Sequence, residues 1–460
     1  MISATDSRVL DANSEALGVP VASLMDNAGS AVADFLESNY PSERILFVCG
    51  PGNNGGDGFA AALRMDPSRV KVALLKKASQ IHTDIARERY SLLECDISMY
   101  SEDCIDRCDI IVDCALGTGI SGTVRDPYRQ FIIDANSSGK TIVSVDIPSG
   151  LGTDLAIRPA HTITFHDVKM GMDPSNCGEI LVADIGIPAE ASSIIGPGDM
   201  LRYPIPGKDS HKGQNGRLMI IAGGPYFGAP IMSSLAALRV GTDIVRVFTP
   251  ESSATIISLS SPVLMVTPLQ GDHLSMGSLS LLLEESKRYD AVLIGPGLGT
   301  SSETIQAVRC FVERCETPMV IDADGITAIA GIELPEGTII TPHSGEYIRL
   351  NPDDMDQSEL SSKIHAVILR KGKEDVVSDG GHTRTNRTGT PAMTGAGTGD
   401  VLSGTVAGLL SKGMVPFDAA CVGAFISGKA GEMAFEERSY GLIATDVIEK
   451  ITSVLKAYLE

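Results

Sequence analysis

The run Thr394-Gly-Ala-Gly-Thr-Gly-Asp400 leads into the apolar Val401-Leu-Ser-Gly-Thr-Val-Ala-Gly-Leu-Leu410, placing one carboxylate at the start of a helix-compatible segment. Glycines at Gly395, Gly397 and Gly399 allow a tight turn and the close approach of a ligand. The free amides that open the following helix favour an anion. A carboxylate in such a place repels a phosphate unless it acts as a base. The pattern therefore suits phosphoryl transfer to a hydroxyl, with Asp400 taking the proton. A plain glycine-rich helix start capped by Asp400 would use the same residues.

A second cluster lies near the other end of the chain. Ile45-Leu-Phe-Val-Cys49 reads as a buried strand, Gly50 to Gly58 as a glycine-rich loop, and Phe59 to Met65 as a helix. Strand, loop and helix in that order cradle phosphate groups in α/β folds. No Gly-Lys-Ser/Thr follows, so this is not a P-loop. Asn53, Asn54 and Asp57, set among Gly55 and Gly56, exceed what a turn requires. Ile110-Ile-Val-Asp113 and Thr141-Ile-Val-Ser-Val-Asp146 are further strands, ending in Asp113 and Asp146 at the sheet edge where open α/β folds bind ligands. Gly117-Thr-Gly-Ile-Ser-Gly122 is formally a GxGxxG, but its place in mid-domain gives no ground for a dinucleotide site.

These elements need supports. Residues 8 to 38 carry apolar positions at helical spacing, and residues 186 to 210, rich in proline and glycine, read as a linker. Beyond it, Arg217–Ala222 reads as a strand, Ala291–Gly299, Met319–Gly325 and Ile339–Glu346 as strands running into glycine turns, and Val367–Asp375 as a strand followed by cations, which predicts a mostly parallel three-layer α/β domain. Pro230 fits the first turn of a helix running to Val240. His343 follows a strand, where it serves equally as a structural histidine or a ligand contact. Lys371 and Lys373 are either solvated charges or phosphate contacts.

With 37 Lys and Arg against 58 Asp and Glu, the formal charge is −21, which speaks against nucleic acid or anionic membrane as a partner. The N-terminal residues lack the blocks of a signal peptide, and no apolar run spans a bilayer. The nine cysteines are scattered without zinc-site spacing, as expected of free thiols in a reducing cytoplasm.

Met25-Asp-Asn-Ala-Gly29, PGNNGGDG, VDCALGTG and VDIPSG resemble the NAD(P)H-hydrate epimerase domain over roughly residues 1 to 200. The resemblance implies a Rossmann-like three-layer sandwich. It places the hydrated nucleotide on Asn53, Asn54, Gly55, Gly56 and Asp57 and on the Gly117-Thr118-Gly119 turn. It implies Asp146 as the catalytic, substrate-contacting carboxylate, and a potassium ion on Asn54, Asp113 and Ser149, whose oxygens suit a hard cation. HKGQNG, FGAP, GPGLG, TPHSGE and GAGTGDVLSG are similar to the ribokinase-like ADP/ATP-dependent NAD(P)H-hydrate dehydratase domain over roughly residues 205 to 460. By that match Asp400 is the catalytic base and Ala229, Gly297 and His343 line the same substrate. Lys371, Gly372, Lys373, Glu374, Asp375 and Gly399 bind the adenine nucleotide. Ser344, Val263, Thr390 and Ala392 depart from the usual pattern, and Val263 touches the nucleotide or metal details.

Together the motifs resemble the bifunctional NAD(P)H-hydrate repair family. The implied chemistry epimerises the R and S hydrates of NADH and NADPH. It then phosphorylates the S hydrate's hydroxyl and expels phosphate, with Mg2+ on the donor; ADP, giving AMP and phosphate, is the expected donor, with ATP as the alternative. A homo-oligomer is expected. A ribokinase-like small-molecule kinase and a non-catalytic nucleotide-binding protein are the rival readings.

Overall fold

Five-residue apolar runs without alternation form strands that are buried on both faces. In Ile45–Cys49 every residue is buried. Ile45, Phe47 and Cys49 enter one hydrophobic core, while Leu46 and Val48 enter another. Leu218 and Ile220 are divided from Met219 and Ile221 in the same manner. Period-two geometry thus makes each sheet the middle layer between two helical layers.

The computed structural model describes residues 1–120 and 122–460; Ser121, inside the Gly117–Gly122 turn, lies outside the described residues. The chain divides into unit 1, Met1–Ala191, and unit 2, Ser192–Glu460.

Unit 1 holds β1 (Ile45–Cys49), β2 (Val70–Leu74), β3 (Asp96–Met99), β4 (Ile110–Cys114), β5 (Thr141–Val145), β6 (His161–Phe165) and β7 (Glu179–Ala183). They form one parallel sheet in the order β3-β2-β1-β4-β5-β6-β7. Strand order reverses between β1 and β4, which makes the crevice at their carboxyl ends the natural ligand site. The helical stretch expected over residues 8 to 38 is two helices, Ala4–Ala16 and Val21–Asn39. Gly18 at φ +90° and Pro20 break it, because neither continues a helix without cost.

The expected loop Gly50–Gly58 is also largely helix, running Asn53–Ala62. Its glycines serve close packing. A Cβ on Gly58 would lie 2.6 Å from Cys114 Sγ, and one on Gly55 would lie 2.0 Å from the Gly50 carbonyl oxygen.

Unit 2 holds β8 (Ile194–Ile195), β9 (Arg217–Ile221), β10 (Ile244–Pro250), β11 (Met265–Leu269), β12 (Ala291–Ile294), β13 (Met319–Ile321), β14 (Thr338–Ile340), β15 (Val367–Arg370), β16 (Asp375–Ser378) and β17 (Thr383–Asn386). The order is β11-β10-β9-β12-β13-β14-β15-β16-β17-β8. It is parallel from β11 to β15, antiparallel through β16 and β17, and parallel again at β8. Here the reversal falls between β9 and β12.

The stretch expected as a linker over residues 186–210 is therefore structured in part, and the two compact units divide between Ala191 and Ser192. Ile194 and Ile195 pair with Thr385 and Asn386, and Pro197–Arg202 forms a 3-10 helix. Asp199 is fully buried and takes the Arg384 guanidinium at 2.9 Å through Oδ2, with a shorter bond to Oδ1. Proline and glycine mark turns, and here the turns belong to a packed edge.

Candidate active sites

In unit 1 a cavity of about 720 Å3 opens at the β1/β4 reversal. Its lining includes Asn53, Asn54 and Asp57 after β1, Gly117, Thr118 and Gly119 after β4, and Asp146 after β5. Gly55 and Gly56 are not part of that lining and are buried, packed against Gly50 and Met25. The helix that begins at Asn53 turns its first and second glycines inward, which is the reason.

Asp146 stands at φ +64°, a left-handed conformation that non-glycine residues adopt at a cost. Its carboxylate takes a short ion pair from Lys169 Nζ, which also donates to Thr164 Oγ1 at 3.0 Å and the Phe165 carbonyl at 2.7 Å. All three ammonium protons are thereby used, which suits a lysine only 3% exposed. Asp113 lies behind the cavity wall. It accepts from the Ser149 hydroxyl and amide, from Ser144 Oγ at 2.9 Å and from the Ala115 amide at 3.3 Å. Burial raises its pKa while these donors oppose the rise.

Asn54 Nδ2 donates to the Leu116 carbonyl at 3.0 Å, and the Leu116 amide donates to Ser149 Oγ at 2.8 Å. Asn54 Oδ1 is buried with no partner. An orphaned amide oxygen joined through Leu116 to a hydroxyl and a buried carboxylate is a donor set that fits a hard cation.

In unit 2 the helix Thr398–Ser411 opens on Gly397 at φ +94°, where a Cβ would lie 2.2 Å from Met232 Sδ. Asp400 sits in its first turn, half-buried, and its carboxylate has no hydrogen-bond partner among the described residues. Burial first, then the negative charges of Asp322 and Asp324, push its pKa up to about 7, against the pull of Lys371. Lys371 Nζ donates to Asp322 Oδ1 at 2.8 Å, and a Cβ on Gly399 would lie 3.5 Å from that same Nζ.

His343 is bridged to Lys371 across the ends of β14 and β15. Its Nδ1 accepts the Gly345 amide at 2.9 Å, capping the next helix, and its Nε2 lies 3.5 Å from Glu346. Burial raises the Glu346 pKa. The structure thus brings together Asp400, Gly399, Lys371 and His343. Ala229 lies on the helix Gly228–Arg239, which packs along Thr398–Ser411, where a Cβ on Gly404 would meet the Ser233 carbonyl at 2.2 Å. Gly297 follows β12, packed under the Tyr226 carbonyl.

The turn expected to bind the nucleotide is divided. Asp375 holds the hairpin through the Gly372 amide at 3.1 Å and Asn386 Nδ2 at 3.1 Å. Lys373 and Glu374 are exposed, and Glu374 pairs with Arg387 at 3.5 Å.

Sequence reasoning passed over five charged groups: Asp11 and Lys169 in unit 1, and Asp322, Asp324 and Glu346 in unit 2. Asp322 and Asp324 flank Ala323, which holds φ +51° and ψ −123°, a conformation normally left to glycine. Asp324 takes the Gly299 amide at 2.8 Å and so fixes the glycine turn after β12. The Asp-Ala-Asp-Gly run at a strand end was the available signal.

Fold and sites define a two-unit α/β chain: a doubly wound unit with a cation-compatible crevice, and a larger unit with a half-buried carboxylate at a glycine-rich helix start. A family model described as NAD(P)H-hydrate dehydratase matches residues 218–453, and one described as YjeF-related protein N-terminus matches residues 21–171. The chain is 40% identical to the bifunctional NAD(P)H-hydrate repair enzyme Nnr of Methanothermobacter thermautotrophicus over 98% of this chain and 94% of that protein. It is 38% identical to the Pyrobaculum aerophilum protein of the same name over 99% and 98%. A solved ribokinase-like superfamily protein from Enterococcus faecalis covers 56% of this chain and 94% of its own, at 25% identity and TM-score 0.51. The ADP/ATP-dependent NAD(P)H-hydrate dehydratase of Bacillus subtilis shares the fold over 58% and 99%, at 24% identity and TM-score 0.50. This chain belongs to the family of bifunctional NAD(P)H-hydrate repair enzymes.

Proposed function

We propose that this chain restores hydrated NADH and NADPH, with unit 1 interconverting the R and S hydrates and unit 2 dehydrating the S hydrate with ADP, releasing AMP and phosphate. Support comes from one observation above others: Asp400 is an unpartnered carboxylate, pushed up to about 7, at a helix start open to an anion. Hydroxide is a poor leaving group, so the hydroxyl is first phosphorylated. Asp400 takes its proton while amides at the helix start stabilise the transferring group. The ring-nitrogen lone pair then expels phosphate. Magnesium, when bound, would offset negative charge on the donor phosphates.

In unit 1, Asn54, Asp113 and Ser149 would hold potassium, which would supply a fixed positive charge beside the cavity. Asp146 and Lys169 orient the hydrated ring as an ion pair. Asn54→Ala should abolish potassium stimulation of epimerisation and leave dehydration of the S hydrate untouched; equal stimulation in both proteins would remove the assignment. The nine unpaired thiols support a reducing compartment, placed here as the cytoplasm. No helix of the described residues is long and apolar enough to cross a membrane. A homo-oligomer belongs to the same proposal and is checked by light scattering.

The deciding experiment follows dihydronicotinamide absorbance from a mixed-epimer NADH hydrate with ADP or ATP and magnesium. Full recovery supports both activities and ranks the donors. Recovery of only the S fraction removes the epimerase half. Phosphorylation of an unrelated alcohol without recovery selects a small-molecule kinase.

A further inference from the structure

An enzyme that inverts a carbon bearing a hydroxyl has a symmetry requirement. A hydroxyl leaves one face as water, which needs a proton. Water then adds to the other face and gives up a proton. The reverse reaction exchanges the two roles, so the site needs two proton-carrying groups that hold one proton between them. Asp146 is poorly placed for that work, since Lys169 already occupies its carboxylate.

The cavity of unit 1 offers two other carboxylates. Asp57 comes from the helix Asn53–Ala62 and Asp11 from the helix Ala4–Ala16, and both line the cavity with Asp146. Neither makes a hydrogen bond or close ion pair among the described residues. Asp11 also lies outside residues 21–171, the stretch matched by the family model. The same cavity is lined by Asn54, nine-tenths buried with Oδ1 unpartnered, an independent sign that this space receives a polar ligand.

We propose that Asp11 and Asp57 are the acid–base pair of the epimerisation, sharing one proton, while the Asp146–Lys169 pair stabilises the cationic ring formed between the two half-steps. The inference rests on the epimerase reading of unit 1. As the C–O bond breaks, the leaving oxygen takes the Asp57 proton and departs as water, and the ring-nitrogen lone pair forms a C=N bond. A water adds to the other face and passes its extra proton to Asp11. Each inversion therefore exchanges one oxygen with solvent.

Electrostatics agree with this division. Burial, then Asp146 and Asp11, raise Asp57 well above the usual carboxylate range, and Lys169 opposes them. Burial and then Asp146 push Asp11 up to about 6, again against Lys169. The other titratable groups facing the pair are Arg8, His82 and Tyr128 in the cavity lining, and Cys114 beneath the Asp57 helix. The upward direction of both shifts favours a pair that keeps one proton between them.

The test supplies the pure R hydrate to the full chain without nucleotide, in 18O-water, and follows the S hydrate and its oxygen label by chromatography and mass spectrometry. The wild type should show one label per inversion and a bell-shaped pH profile whose acid limb falls near 6. Asp11→Asn and Asp57→Asn should each lower kcat by about 100-fold or more with KM little changed, and each should remove one limb. Dehydration of the S hydrate reports that unit 2 is intact.

Near-wild-type kcat with an unmoved profile in either variant overturns the pair, as does inversion without label. Should the Asn variants lose the fold of unit 1, Asp11→Glu decides: a displaced acid limb supports the pair, an unmoved one overturns it. A wild type that does not invert the R hydrate at all removes the epimerase reading itself, a separate outcome.

Discussion

Asp400 and Asp322 bring like charges into one corner of unit 2, and Lys371 is the cation that both of them feel. A base with a pKa of about 7 works only when ionised, so dehydration kcat/KM should rise with pH through about 7 and then level off. Asp322→Asn removes a charge that raises Asp400 and frees Lys371 to pull it down. That limb should therefore move to lower pH; a limb that stays or moves up would show that Asp400 does not report it. Asp400→Asn should lower dehydration by about 100-fold or more and leave R-to-S inversion unchanged, measured on the separate epimers. The raised pKa also bears on stability. Its contribution is present in full below the unfolded value of 3.8 and is lost as pH rises through about 7. Asp400 and Asp146 were legible because each ends an unmistakable local pattern. Asp11 and Lys169 were not, since a carboxylate on an amphipathic helix and a lone lysine read as solvent-facing until tertiary packing turns them into a cavity. Asp322 and Asp324 were passed over, because acids at strand ends also cap loops.

At the scale of elements, strands were legible and the helix at Asn53 was not. Uninterrupted apolar runs have few alternatives to a buried strand. A run of glycines, by contrast, has low helical propensity and reads locally as a loop. The contacts of Gly55 and Gly58 reverse that reading, because nothing larger fits between this helix and the sheet. Gly58→Ala should therefore destabilise unit 1 by about 1–3 kcal/mol despite its better helix propensity, and Gly55→Ala by at least as much, in denaturant melts. A stabilised Gly58→Ala protein would mean that the helix stands further from Cys114 than 2.6 Å allows.

For the whole chain, length suggested two or three domains and the strand-and-turn motifs an α/β class, while β8, only two residues long and set among prolines and glycines, gave no local signal. A fragment of residues 192–460 keeps Asp199 for Arg384, whereas a fragment of 205–460 leaves that buried guanidinium without its carboxylate. The shorter fragment should be less stable by about 3–5 kcal/mol, read from urea midpoints of the two. Equal midpoints would show that β8 and Asp199 contribute nothing. The same pairing sets an order in time. During synthesis β8 leaves the ribosome directly after unit 1 is complete, but its partner Thr385–Asn386 follows some 190 residues later. At ordinary elongation rates the wait is roughly ten to forty seconds. Throughout it Ile194, Ile195 and Met200 trail a finished neighbour as an uncovered apolar segment, a footing for chaperones, until the last edge of the second sheet closes over them.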